Sequence, residues 1–211
     1  MSRSLLRLSK GRLTVALLLA AAGCTTNEKR SLPVPDGLVD TFDDGNTMSD
    51  LGTPWEAVAS AGSSASVVPE PGGFRGGALG VTAFRAENAT PSEVVGVRVS
   101  LAQPPRMADP NRAPITADVR EMTGLALAIK GRPGTYVVQI GTEAIADADH
   151  YNAYVQAGAE WTEYKIPFAD FKQEGFGTAV PWTGTALTHV AVYPMLTGDA
   201  SFAVDQVRFY K

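Results

Sequence analysis

Gly124-Leu125-Ala126-Leu127-Ala128-Ile129-Lys130, followed after Gly131-Arg132-Pro133-Gly134-Thr135 by Tyr136-Val137-Val138-Gln139-Ile140-Gly141, decides how this chain is read. Large apolar side chains fall at every second place: Leu125, Leu127 and Ile129 in the first run, Tyr136, Val138 and Ile140 in the second. A strand points successive side chains to opposite faces, so this period of two buries one set and turns the other outward. Similar short runs, rich in Val, Ile, Phe and Tyr and set between Gly, Pro, Asp and Asn clusters, occupy 38–42, 65–68, 77–83, 94–99, 151–156, 162–167, 187–193 and 201–210. No stretch carries a helical stripe, and no repeat of fixed period is visible. Ten short strands in one domain predict an all-β fold built as a two-sheet antiparallel sandwich. The segments 59–64, small and flexible, and 102–114, with four prolines, read as loops.

Alternation also assigns faces. Tyr151, Ala153 and Val155 alternate with Asn152, Tyr154 and Gln156, and Val190 and Val192 with His189, Ala191 and Tyr193. With the strands in one sheet, Lys130, Gln139, Asn152, Tyr154, Gln156, His189 and Tyr193 share an outer face among small alanines. Aromatic rings stack on the apolar faces of sugars, and amides meet hydroxyls that both donate and accept, so this face is a candidate glycan-binding surface. The alternative is the ordinary solvated side of a sandwich. Tyr136, Tyr151, Trp161 and Phe168 read first as core.

The N-terminus carries a different signal. Arg3, Arg7, Lys10 and Arg12 precede a short apolar run ending at Gly23, the pattern of an export signal too short to span a bilayer. Ala21-Ala22-Gly23-Cys24 resembles the bacterial lipobox, which implies lipidation of Cys24 and a protein anchored to the bacterial cell envelope, at the outer membrane if the cell is Gram-negative; an ordinary cleaved signal is the alternative. Residues 1–23 are then the lipoprotein signal peptide, 24–36 a polar, Pro-punctuated tether, and 37–211 the folded domain. The leader holds four of the 18 basic residues, leaving 14 against 22 acidic ones, a balance that argues against a nucleic-acid partner. Cys24 is the only cysteine, so no intrachain disulfide can hold an exported domain together.

Four passages, taken in order, carry a resemblance: Leu38-Val-Asp-Thr-Phe-Asp-Asp-Gly45 followed by Trp55; Asp149-His-Tyr-Asn-Ala-Tyr154; Glu160-Trp-Thr-Glu-Tyr-Lys-Ile-Pro-Phe-Ala-Asp-Phe171; and Phe202-Ala-Val-Asp-Gln-Val-Arg-Phe209. Over residues 38–211 the chain resembles the galactose-binding-like jelly rolls, and within them the family 11 carbohydrate-binding modules and the complex I intermediate-associated protein family. The resemblance implies a jelly-roll sandwich that binds glycan on its concave sheet, or a protein-interaction or assembly factor of the envelope. It also implies a structural calcium ion near the first and last strands, at Asp43 and Asp205 with Asp40 and Asp44 as alternatives; Ca²⁺ takes six to eight oxygen ligands, which carbonyls can complete. Turn-forming aspartates are the other reading of these four residues.

Catalysis finds little support. There is no Gly-x-Ser-x-Gly stretch, the only histidines are His150 and His189, and Gly72-Gly-Phe-Arg-Gly-Gly77 lacks the Lys and helix of a phosphate loop. His150 reads as part of a polar turn, with metal binding the alternative. Glu143, Glu160, Glu163 and Asp170 leave a glycosidase or lyase as a third possibility, needing two acids across a cleft. The expectation is a domain that binds rather than turns over.

Overall fold

The computed structural model describes residues 30–90, 93–102 and 115–211; the leader, Cys24 and nearly all of the long proline-rich loop lie outside them. Fourteen strands are formed: β1 (Ser31–Pro33), β2 (Leu38–Asp40), β3 (Trp55–Ala59), β4 (Ser64–Pro71), β5 (Gly77–Arg85), β6 (Val95–Ser100), β7 (Thr116–Asp118), β8 (Gly124–Gly131), β9 (Gly134–Thr142), β10 (Tyr151–Ala157), β11 (Thr162–Pro167), β12 (Leu187–Pro194), β13 (Gly198–Asp199) and β14 (Phe202–Tyr210). They make a two-sheet jelly-roll sandwich, antiparallel except for one pair, as the alternation predicts. In the first sheet β12 pairs with β9 along one edge and with β6 and then β7 along the other. Beyond these, β10 lies outside β9, β3 outside β6, and β1 runs parallel to β7. The second sheet runs β11-β8-β14-β5-β4, with β2 on the C-terminal half of β14 and β13 on β5.

The core lies between the sheets and is made by the alternating sets. Leu125, Leu127, Ile129, Tyr136, Val138, Ile140, Val190 and Val192 are fully buried in one cluster. Burying each Leu or Ile contributes roughly 1.5–3 kcal/mol relative to leaving it exposed. Prolines mark the limits of pairing: Pro69 and Pro71 lie in β4, which pairs on one side only, and Pro167 ends β11. One end of the sandwich is closed by rings, Phe168 at 4.6 Å and Tyr151 at 5.1 Å from Trp182, with Phe171 buried nearby.

Two expectations need correction. Residues 31–36 are not tether: β1 pairs with β7 through Ser31, Leu32 and Pro33, and Val34 is buried in the core cluster. Proline is tolerated there because β1 is an edge strand. Trp161 is not core; it lies on the outside of the second sheet, with Lys130 Nζ 5.0 Å from its ring centre.

Strand β2 ends in a buried carboxylate. Asp40 is 2% exposed; Oδ1 accepts from the Phe42 backbone N–H at 2.7 Å and Oδ2 from Trp55 Nε1 at 2.7 Å, which steadies Phe42 at a left-handed φ of 58°. Burial pushes its pKa up to about 6, against these two hydrogen bonds. A carboxyl whose folded pKa exceeds its unfolded one contributes stability that is complete below about pH 4 and lost as pH rises through about 6. His189, held down to about 3, contributes in the opposite sense, so whole-domain stability mixes the two slopes. A local readout separates them: Trp55 fluorescence should inflect near pH 6, and the inflection should vanish in Asp40→Asn.

Candidate functional site

The outer face of the first sheet is built in rows by strand register. Asn152 stands opposite Gln139, Gln139 opposite Ala191, Ala191 opposite Arg98 and Arg98 opposite Glu56, a row across five strands. The next row is Tyr154, Val137, Tyr193, Gly96 and Val58; on the other side lie Gly141, His189 and Ser100. Six of the seven residues assigned to the face from alternation therefore do share it: Gln139, Asn152, Tyr154, Gln156, His189 and Tyr193. Lys130 does not. Strand β8 belongs to the second sheet, so its outward side chain points to the opposite side of the sandwich.

Hydrogen bonds join the polar groups in one direction. The Asn152 amide Nδ2 and the Tyr154 hydroxyl both donate to Glu174 Oε1, at 3.3 and 2.5 Å. Gln139 Nε2 donates to Asn152 Oδ1 at 3.0 Å, and Gln139 Oε1 lies 3.2 Å from His189 Nε2. An amide oxygen only accepts, so Nε2 carries the imidazole proton, and Nδ1 accepts from the Thr188 hydroxyl at 3.1 Å. Burial first, then His150 and Arg98, keep His189 neutral by holding its pKa down to about 3. His150 packs edge-on against it, ring centres 4.9 Å apart, and has its own pKa lowered by burial. The bond to Glu174, then burial, push the Tyr154 phenol up to about 12.

The two tyrosines differ. Tyr154 is 55% exposed, whereas Tyr193 is 5% exposed and forms a small buried cluster with Val137 and Ala191, packed by Val58 and Val94. Its ring lies across Gly96. Tyr193 is thus a support of the face and Tyr154 its available ring.

Sequence reasoning missed several contributors. Arg98 stands opposite Glu56 and donates to its carboxylate at 3.2 Å; the Val95, Val97 and Val99 alternation pointed to its outward position. Glu174 belongs to no strand, and only the fold brings it to β10, where Lys172 forms a backbone bridge to Asn152. Among the acids considered for catalysis, Glu163 is taken up by Arg208 at 2.9 Å outside the second sheet.

The calcium candidates separate into two pairs. Asp40 is committed to Phe42 and Trp55, and Asp44 to Asn46 through Nδ2 at 2.6 Å. Asp43 and Asp205 both close on the 73–77 turn: Asp43 Oδ1 accepts from Gly77 N at 3.2 Å and Asp205 Oδ2 from Arg75 N at 2.8 Å. Asp205 is fully buried and is delivered by a bulge in β14, where the register shifts and Gln206 takes a left-handed φ of 53°. At Gly73 a Cβ would overlap the Gly77 carbonyl oxygen and stand 2.7 Å from Asp205 Oδ2; at Gly77 it would overlap the Phe42 carbonyl oxygen. Two carboxylates and two carbonyls so placed are the donor chemistry of a hard cation. Among the described residues no three His, Cys, Asp or Glu side chains gather as a metal group, so such an ion would rely on these carbonyls.

The fold defines an architecture, the two-sheet jelly-roll sandwich shared with carbohydrate-binding modules. A family 11 carbohydrate-binding module of a cellulosomal cellulase of Clostridium thermocellum superimposes with a TM-score of 0.54 at 14% identity, over 74% of this chain and 86% of that one. The Clostridium thermocellum family 11 module in complex with a β-1,3-1,4-mixed-linked tetrasaccharide gives 0.54 at 15% identity, over 74% and 88%. These likenesses establish a shared fold. In sequence, residues 106–191 match the model of the family Complex I intermediate-associated protein 30. No curated protein matches the chain.

Proposed function

We infer that this is an envelope-anchored lipoprotein whose domain binds glycan, without turning it over, on the outer face of the first sheet. The observation that carries the reading is the directed chain from Thr188 through His189, Gln139 and Asn152 to Glu174, lying beside the exposed Tyr154 ring. Sugar hydroxyls donate and accept at once, and fixed amides beside a ring suit them. A glycan array of envelope and plant polysaccharides, probed with the whole chain, tests it. Tyr154→Ala is expected to weaken the bound glycan about tenfold, the scale of one aromatic contact; silence across the array sinks the reading. The anchor rests on Cys24, and Cys24→Ala should release the protein from the membrane fraction.

A second reading, a protein-interaction or assembly factor of the envelope, is favoured by the 106–191 family match. Affinity capture from detergent-solubilised membranes that returns no stoichiometric partner would count against it.

A structural calcium ion held by Asp43 and Asp205 with the Phe42 and Gly77 carbonyls is part of the proposal. Its role would be to tie the 73–77 turn to the first and last strands. Binding to the folded state alone stabilises by about 2.7 kcal/mol at a hundredfold excess over Kd, so chelator should lower the melting temperature and Asp205→Asn should abolish that response. An unchanged melt with chelator leaves the two aspartates as turn-holding residues.

A further inference from the structure

The segment after Phe171 carries a feature that the face reading leaves unused. Phe176 is 68% exposed, the most exposed large apolar side chain among the described residues, yet the loop that bears it is tightly built. Asp149 is 1% exposed; its Oδ1 accepts from Glu174 N at 2.8 Å, and its Oδ2 from Gly175 N and Gly177 N, both at 3.0 Å. Asp147 Oδ2 accepts from Thr178 N at 2.6 Å. Gln173 spans the base, its Oε1 accepting from Val180 N at 2.7 Å and its Nε2 donating to the Asp149 and Thr178 carbonyls at 2.8 and 3.0 Å. Gly175 has a left-handed φ of 88° that favours glycine, and a Cβ at Gly177 would stand 2.5 Å from Asp147 Oδ1 and press on that carboxylate.

A buried carboxylate, a second aspartate and a glutamine amide thus fix a short loop whose tip is an unburied phenyl ring. Water gains nothing from that ring, and a rigid loop does not need it for packing. The same loop places Glu174 against Tyr154 and Asn152, and Phe176 lies two residues on, within about 7 Å along the chain. Only Oε1 of Glu174 is engaged by these two donors, which leaves Oε2 to face a ligand.

The geometry points to the 173–178 loop as a side wall of the glycan site, with Phe176 stacking on a pyranose ring and Glu174 Oε2 accepting its hydroxyls. The ligand class it selects is a neutral glycan of flat pyranose rings. Equatorial hydroxyls leave both ring faces flat for stacking, while the Glu174 carboxylate, with the positive Arg98 already paired to Glu56, repels a uronate. This rests on the glycan reading above and adds to it a wall, a ring and a charge preference.

The test is binding of the whole chain in detergent to mixed-linked β-1,3-1,4-glucan tetrasaccharide, xylotetraose and an oligogalacturonate, for wild type, Phe176→Ala, Phe176→Trp, Glu174→Gln and Tyr154→Ala. Expected is binding of a neutral oligosaccharide that weakens about tenfold in Phe176→Ala with an unmoved melting temperature, and recovers in Phe176→Trp. Glu174→Gln should narrow the gap between neutral and acidic oligosaccharides. Wild-type affinity in Phe176→Ala, alongside a loss in Tyr154→Ala, overturns the wall and leaves the glycan platform standing. Preference for the oligogalacturonate overturns the charge assignment. Absence of binding by wild type to all three, and across the array, overturns wall and platform together.

Discussion

Asp149→Ala should be among the most damaging single substitutions in this domain, lowering stability by about 2–4 kcal/mol and freeing the 173–180 segment. The side chain is 1% exposed and receives three backbone N–H groups, of Glu174, Gly175 and Gly177. Hydrogen bonds to a charged group are worth about 1.5–3 kcal/mol each at best, and leaving their donors unsatisfied costs about as much again, but the loop can turn those donors to water and recover part of the loss. The effect should be local before it is global. Hydrogen exchange should show the amides of residues 174, 175, 177 and 178 losing protection while those of β8 and β14 keep it. Full protection of the loop in the variant would mean that Gln173 and Asp147 suffice to hold it. Because Glu174 leaves with the loop, Tyr154 also loses its acceptor, and the phenol should titrate nearer its ordinary value of 10 than the 12 or so it shows in the intact site.

Gly96→Ala should do comparable harm by another route. Gly96 sits in β6 with φ 151°, and a Cβ there would overlap the Val192 carbonyl oxygen and stand 3.1 Å from the Tyr193 ring. The obstacle on one side is backbone, which cannot rotate away, so β6 and β12 must separate where Val97 pairs with Val192. Strain of this kind costs on the order of 3 kcal/mol. Chemical denaturation should show a loss of that size, and the Tyr193 ring, lifted from Gly96, should open the buried cluster with Val137 and Ala191. A variant as stable as the parent would show that the two strands can slide apart at little expense.

Much of this architecture was legible in the text of the chain. The period-two runs at 125–129, 136–140, 151–155 and 190–192 place their large side chains in the core as read, because alternation reports burial directly. What alternation does not report is which sheet a strand joins. Strands β8 and β9 are neighbours in sequence and resemble a hairpin, but Arg132 and Pro133 carry the chain from one sheet to the other, and Lys130 was misplaced for that reason. The site was legible where it sits on strands and hidden where it sits on connections. Gln139, Asn152, Tyr154 and His189 follow from period; Glu174, Phe176 and the Asp149 cradle depend on a long-range closure with no local pattern. Asp205 falls between: the core positions Phe202 and Val204 give way to Val207 and Phe209, a skipped beat that marks the bulge aiming its carboxylate at the 73–77 turn.

The pairing of β1 with β7 has a consequence for reach. A lipid on Cys24 would hold the domain by the residues up to Arg30, six steps of chain or about 21 Å at full stretch, whereas a leash running to Asp36 would have allowed about 42 Å. Such a leash would enter at the β1 edge of the first sheet, while Tyr154 and Glu174 stand at the opposite, β10 edge. A domain moored on so short a line, with its exposed ring on the far gunwale, would ride close to the bilayer and reach outward to polymers that lie beyond it.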